Sequence, residues 1–372
     1  RDGKVIGFLK MQREKLEKFN MPPYDSMPKV TARGELEYFY PCPRRWTLSR
    51  LLKIRPDTLD ISLIKNYEIG RLNHSVLEEF MKEYLGDTLP HYDSFKNAFT
   101  KDSIDVSEKI REEIREAADK ALAKFSKSPL VKKIFSIQKQ QLSDSLYDFL
   151  TILLIPYGSS LDKNNERTNI AGIGGCEVYG VENDFIMPSE NESYLCYGVI
   201  DCLLRAPRTN DPDSEGWIII DYKSSVSSIP KDKEVTLDEN GMISDFQMPM
   251  YVSLIIPQSD ECKVDAAYYY SVKREDSSTN QKRAVIDRYV HTEKKDLTQK
   301  SYEPVLNKFR EYRDDFNEKC MENPEPYISY DDSDKFAVRA ERDCTSCDLK
   351  SICRTSYTIA NRMLRSRKEA KK

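Results

Sequence analysis

Gly198-Val199-Ile200-Asp201 and, after a loop, Trp217-Ile218-Ile219-Ile220-Asp221-Tyr222-Lys223 are two apolar runs that each end in charge. A strand alternates its faces with a period of two, so Asp221 and Lys223 project on the same side. If the two runs are neighbouring strands, Asp201 joins them, and two carboxylates and an ammonium converge at the edge of an apolar sheet. That set is what is needed to hold a divalent cation and a phosphate together. Asp201 alone would read as a strand-end turn cap, and Asp221 with Lys223 as a surface ion pair worth little. Ile218 to Ile220 mark a buried strand, however, and a charge at its end is partly desolvated and needs a partner or a metal.

The surrounding 372 residues are 39% hydrophobic and 32% charged, enough for one large domain or two small ones with a real core. With 58 basic and 62 acidic residues the net charge is −4, so any nucleic-acid contact must use a local basic patch. No apolar run is long enough for a membrane span and no signal-peptide pattern is present, so a cytoplasmic location without membrane contact is expected. The chain starts at Arg1, and residues 1–28 are polar and lysine-rich. They read as a linker or lead-in from a longer chain.

Periodicity predicts helices first and strands later. Leu36 to Leu52 reads as short helix broken by Pro41 and Pro43, and Gly70 to Tyr84 as amphipathic helix. Residues 104–126 and about 130–155 read as two more helices, and Asp162 to Thr168 as a polar loop. Cys176 to Met187, Tyr194 to Ala206 and Gly216 to Lys223 read as strands, the last too apolar to be an edge, with Pro207 to Glu215 as the hairpin loop between the second and third. After a polar excursion over Ser224 to Ser244, a helix is expected from about Asp245, with Pro249 tolerated in its first turn. Strands at Lys263 to Lys273 and Ala284 to His291, a charged helix at about Lys295 to Glu322, and a basic helical tail from Ser351 complete the chain. Helices, three strands, a helix and more strands give a mixed α/β domain around one sheet.

Two further features bear on chemistry. Gln247 and Tyr251 are four apart and share a helix face, where the amide could steer the lysine or a phosphate oxygen and the hydroxyl could grip a phosphate. His74, in Gly70-Arg71-Leu72-Asn73-His74, becomes a candidate metal ligand only if its helix docks beside the carboxylates.

Gly70 with His74, Glu182 with Phe185, Gly198 with Asp201, Asp221 with Lys223, and Gln247 with Tyr251 stand in one order. Each motif is short, but together they resemble the RecB-type branch of the PD-(D/E)XK nucleases, over about Gly34 to Arg354. The resemblance implies a restriction-endonuclease-like mixed sheet flanked by helices, spanning 29–372 with a helical insertion at about 85–160. It implies a Mg2+ or Mn2+ ion held by His74, Asp201, Asp221 and the backbone carbonyl of Tyr222, with Glu182 the least secure ligand. Lys223 would orient the attacking water, Gln247 would fix Lys223, and Tyr251 would touch the DNA backbone. The expected activity is metal-dependent hydrolysis of DNA, single-stranded or at duplex ends. The expected context is exonucleolytic end processing in recombinational repair, as the nuclease domain of a helicase–nuclease or a stand-alone relative. No Walker A sequence is present, so a motor would sit on another segment or subunit. The alternative is a catalytically inactive domain of the same fold that grips DNA or a partner inside a helicase complex.

Nine cysteines without a secretory signal argue for metal ligation or buried thiols rather than disulfides. Cys344, Cys347 and Cys353 form C-x₂-C-x₅-C near the C-terminus, and Cys42 lies between prolines near the other end. Four thiolates suit a Cys₄ zinc or an iron–sulfur cluster, and spacing does not decide between them. One distant cysteine plus a C-terminal three is similar to the 4Fe–4S staple of AddB-type and CRISPR-adaptation nucleases, which implies a cluster clamping the chain ends. Cys176, Cys196, Cys202, Cys262 and Cys320 read as core fillers.

Overall fold

The apolar run ending in Asp221-Tyr222-Lys223 lies in the interior of a six-stranded mixed sheet. The computed structural model describes residues 29–54, 66–125, 129–158, 172–188, 195–208, 211–256, 263–273, 282–287, 291–292, 295–316, 318, 344 and 347–353. In chain order the strands are β1 (Lys29–Val30), β2 (His91–Asp93), β3 (Ala98–Lys101), β4 (Ile104–Asp105), β5 (Glu177–Pro188), β6 (Leu195–Arg208), β7 (Asp211–Lys223), β8 (Lys263–Ser271), β9 (Lys282–Asp287), β10 (His291–Thr292) and β11 (Lys295–Asp296). The helices are α1 (Pro43–Trp46), α2 (Asn66–Lys82), α3 (Ser107–Lys124), α4 (Pro129–Leu153), α5 (Gln247–Ile255), α6 (Gln299–Phe316) and α7 (Lys350–Cys353). Short helical turns at Ala32–Leu36, Glu37–Phe39 and Thr47–Leu51 flank α1.

The large sheet runs β1-β6-β7-β8-β9, with β5 on the other edge of β6. Strands β5, β6 and β7 are antiparallel neighbours, β8 joins β7 in parallel, and β9 returns antiparallel. A parallel pair needs a crossover, and α5 lies in it, which brings Gln247 back over the strand that ends in Lys223. Both faces of β7 are covered, as its isoleucine run requires. Ile218, Ile220 and Tyr222 pack with residues of α2, α3 and α4, while Trp217 and Ile219 pack with residues of α5, α6 and the turns around α1. Strand β8 repeats the alternation with three fully buried tyrosines, Tyr268 and Tyr270 on the first side and Tyr269 on the second.

The three predicted long strands, the four longest predicted helices and the break near Pro41 are all present. Several boundaries differ, each for a local reason. The expected hairpin loop at Pro207 to Glu215 is mostly ladder: Pro207 stands opposite Glu215 and Arg208 opposite Asp211, with the register irregular between Pro207 and Arg208. A bulge is where a strand tolerates a residue without an N–H. Ile104 and Asp105 are strand, not helix, pairing with Lys101 and Thr100, and α3 starts at Ser107, whose N–H donates to Asp105 Oδ1 at 2.9 Å. The last long helix starts at Gln299, because Lys295 and Asp296 pair with Thr292 and His291. The stretch expected to be a helical insertion also carries the small β2-β3-β4 sheet, whose strands of two to four residues are too short to show a period. The expected loop at Asp162 to Thr168, the tail beyond Cys353, and Cys262 and Cys320 lie outside the described residues. Cys176, Cys196 and Cys202 are buried in the two cores, as expected of fillers.

Helix α5 sits close to β6 because Gly198 has no side chain: a Cβ there would come 2.9 Å from Leu254 Cδ1 and 3.1 Å from Tyr251 Cε1. Gly198→Ala therefore overpacks the layer that positions Gln247. It is expected to lower unfolding free energy by about 1–3 kcal/mol, read from the midpoint of a denaturant titration with an unchanged slope.

Candidate active site at the β6–β7 fork

Strand β7 leaves β6 after the Cys202–Ile220 pair, while β1 takes the same edge of β6 only at Leu195 and Cys196. The strands fork between these points, and the Tyr222 N–H loses its place in the ladder. Asp201 takes it: its Oδ2 accepts that N–H at 2.7 Å. An aspartate at the fork thus satisfies a backbone donor that would otherwise be orphaned, and this sets its carboxylate beside the end of β7.

Asp221 and Lys223 project together, as their spacing predicts. Lys223 Nζ lies 2.6 Å from Asp221 Oδ2, and the two side chains are 4% and 3% exposed. Gln247 closes the arrangement from the first turn of α5. Its Oε1 accepts from Lys223 Nζ at 2.7 Å, and its Nε2 donates to Asp221 Oδ1 at 2.6 Å and to the Tyr251 hydroxyl at 2.7 Å. Tyr251 was expected to touch DNA; its side chain is buried, and its hydroxyl accepts from Gln247 Nε2.

Two residues that the sequence reading did not single out form the layer behind this knot. Tyr269 stands opposite Asp221 in the parallel β7–β8 register, and its ring centroid is 4.6 Å from Lys223 Nζ. Asp245 accepts the Tyr269 hydroxyl on both oxygens, at 3.0 and 2.8 Å, and the Gln247 N–H at 3.0 Å. Burial raises the pKa of Asp245, against these hydrogen bonds and the charge of Lys223. The place of Asp245 just before a helix was a legible capping signal; that of Tyr269 depends on strand register and was not.

Helix α2 docks against the fork and brings His74 there, with Nδ1 3.5 Å from Asp201 Oδ2. Gly70 permits this approach, since a Cβ would meet Ser224 Cβ at 3.0 Å. Among the described residues, His74, Glu182 and Asp201 are the one set of three whose potential ligand atoms all lie within 4.8 Å of one another. Asp221 is outside that triple, engaged by Lys223 and Gln247. Glu182 reaches it from β5 with a left-handed backbone, φ 50°, which is costly for a residue with a Cβ.

These groups line a cleft of 460 Å³, whose walls also include Arg71, Glu78, Tyr222, Lys223, Ser224 and Ser228. The acids repel one another there. Burial, then Asp221 and Glu182, hold the Asp201 carboxyl well above the usual carboxylate range. Burial, then Glu78 and Asp221, push Glu182 up to about 7. One imidazole nitrogen and clustered carboxylate oxygens short of positive charge are a donor set that fits a small divalent cation.

A second constellation sits at the chain ends. Cys42 precedes α1, and its Sγ accepts the Arg45 N–H at 3.3 Å. Burial pushes the Cys42 thiol up to about 12, and Cys353, Cys344 and Cys347 act on it in the same direction, which puts all four in one neighbourhood. Arg45 reaches Asp348 at 3.7 Å across the same junction.

A mixed sheet with helices on both faces and two acids and a lysine at a strand fork defines a restriction-endonuclease-like architecture. The family model described as the PD-(D/E)XK nuclease superfamily matches residues 33–354, and the chain belongs to that superfamily. No curated protein matches the chain. Membership supports a metal-dependent nuclease with a nucleic-acid substrate. No helix among the described residues is long and apolar enough to cross a membrane.

The left-handed backbone of Glu182 separates stability from chemistry. Glu182→Gly removes a Cβ from a conformation that disfavours it and one acid from a repulsive cluster. Unfolding free energy measured without divalent metal is expected to rise by about 1 kcal/mol, while affinity for Mn2+, read by calorimetry, falls.

Proposed function

We propose that the protein is a Mg2+- or Mn2+-dependent deoxyribonuclease that trims DNA ends, single-stranded or duplex. Its proposed context is recombinational repair inside the cell, as the nuclease domain of a helicase–nuclease or a stand-alone RecB-type relative. The observation that carries this reading is the buried Lys223 ammonium, fixed by Asp221 and Gln247 on the wall of a cleft that also holds His74, Glu182 and Asp201.

His74, Asp201, Glu182, Asp221 and the Tyr222 carbonyl would hold the cation. When bound, it supplies Lewis acidity at the scissile phosphate and favours ionisation of a nearby water. Lys223 has three donors; Gln247 Oε1 takes one and the ammonium lies against Asp221 Oδ2 as an ion pair, which leaves a donor for the attacking water or a phosphate oxygen. Its charge offsets the negative charge that grows on the phosphate in the transition state. Gln247 fixes the lysine and the Asp221 carboxylate at once, so neither needs to reorganise during reaction. Tyr251 and Asp245 hold Gln247 by its side chain and its backbone.

Cys42, Cys344, Cys347 and Cys353 would hold a 4Fe–4S cluster. What supports this reading is the gathering of Cys42 with Cys344, Cys347 and Cys353 in one neighbourhood, one distant cysteine with a C-terminal three rather than two close pairs. The cluster would join the two ends of the domain, a long loop whose closure removes unfolded-state entropy.

Lys223→Ala and Asp221→Ala are each expected to lower metal-dependent cleavage of end-labelled DNA by about 10²–10³-fold or more, with melting curves showing a folded protein. Wild-type rates in both variants would favour the alternative, a domain of this fold that binds without cutting. Cys344→Ser is expected to lose iron and sulfide, bleach visible charge-transfer absorbance and lower the melting temperature. Stoichiometric zinc and no iron in the wild-type protein would replace the cluster with a zinc site.

A further inference from the structure

The cleft has two chemistries, and the proposed cleavage reaction uses only one. His74, Glu78, Glu182 and Asp201 bring a nitrogen and carboxylate oxygens to its lining. Arg71, Ser224 and Ser228 bring a guanidinium and hydroxyls to the same lining, with Ser224 against Gly70, the residue before Arg71. Resting on the nuclease reading above, we propose that Arg71, with the hydroxyls of Ser224 and Ser228, forms a seat for a second backbone phosphate, next to the one being cut.

Arg71 is exposed on a wall of the cleft, and among the described residues it has no hydrogen-bond or ion-pair partner. Other charges on the same helix are engaged: Glu78 with Lys82, and Glu79 with Lys124 at 2.5 Å. A guanidinium left open on a cleft wall offers a planar fork of donors that matches phosphate in a bidentate way. Its position follows from the helix. Arg71 and His74 are three residues apart, so they share a face and are separated by about 4.5 Å along the axis. A strand whose scissile phosphate lies by His74 and Lys223 would thus carry a neighbouring phosphate past Arg71.

The serines come from the loop after Lys223. The close approach of Gly70 to Ser224 sets this loop beside the start of the Arg71 face. Ser225 bonds to Ser227 and Ser228, each at 2.9 Å, which ties the loop to itself. The Ser224 hydroxyl has no partner among the described residues and lies on the cleft wall. A cation and hydroxyl donors recognise phosphate rather than base edges. The seat therefore holds a nucleic-acid strand in register without reading its sequence. In a chain of net charge −4, one such local contact is a visible share of the electrostatic affinity.

The test is binding of a fluorescent single-stranded oligonucleotide by the full chain in EDTA, where no cleavage occurs, across a series of salt concentrations. Arg71→Ala is expected to weaken binding several-fold at low salt and to reduce the slope of log K against log salt by about 0.7, equally for two unrelated sequences. Arg71→Lys, which keeps the charge, is expected to recover the slope with part of the affinity. Ser224→Ala is expected to weaken binding at an unchanged slope. An unchanged slope and affinity in Arg71→Ala overturns the seat even if the wild-type protein cuts DNA, and so does a wild-type chain that binds no oligonucleotide. A slope that falls in a protein that cuts nothing with Mg2+ or Mn2+ supports the seat and rejects the nuclease reading.

Discussion

An ammonium and a carboxylate that are only 4% and 3% exposed lose most of their hydration, and that loss is offset only where partners hold both in good geometry. The core of this fold is arranged around meeting that condition for Lys223 and Asp221. One strand supplies both groups on one side, the crossover helix returns a glutamine that binds both, and the next parallel strand supplies an aromatic face. Each partner is then fixed by something further back: Gln247 by Tyr251 and Asp245, and Tyr269 by Asp245. Such a network is stable only if complete, because a missing member leaves a buried polar group unpaired. The site is thus rigid for the same reason that it is costly.

The strand fork explains why the acids accumulate beside that knot. A sheet whose strands stay paired has no room for a side chain between them. Where β6 and β7 separate, a free N–H and a gap appear together, and Asp201 occupies both. Glu182 is brought in from the other edge of β6 by a left-handed residue inside a strand, and His74 by a helix packed close through Gly70. Three unrelated local devices serve one convergence. Their common effect is a set of carboxyls raised first by burial and then by one another's charge, which Lys223 at Asp201 and Lys82 at Glu182 only partly offset. A bound divalent cation would relieve that repulsion directly, which links the electrostatics of the protein to the chemistry of its superfamily.

How much of this was legible beforehand depended on the range of each interaction. Asp221 and Lys223 could be paired from spacing alone, because strand alternation is a two-residue rule, and Gln247 and Tyr251 because helix neighbours are four apart. The apolar run at Ile218 identified a central strand for the same reason. The ladder over Pro207 to Glu215 was hidden by residues that usually mark turns, and the β2-β3-β4 sheet by strands shorter than any period. Tyr269 needed a register between strands some 50 residues apart in the chain. Glu182 was flagged by its motif, but nothing in the letters Val181-Glu182-Asn183 announces a left-handed backbone. Arg71 stood between Gly70 and His74 with nothing in the sequence to single it out; the cleft distinguishes it.

The chain ends bear on the site through packing rather than contact. Tyr40, just before Cys42, stacks on Phe246 with centroids 5.6 Å apart, and its hydroxyl donates to Asp315 on α6 at 3.0 Å. Phe39 and Trp46 pack edge-on against Phe316 at the end of the same helix. Phe246 immediately precedes Gln247, so the segment carrying Cys42 braces the first turn of the helix whose amide holds Lys223. A cluster joining Cys42 to Cys344, Cys347 and Cys353 would keep that brace in place, since the short turns around α1 have little helical stability of their own. Loosening it would reach Lys223 through two stacked rings and one amide, without altering any group that lines the cleft.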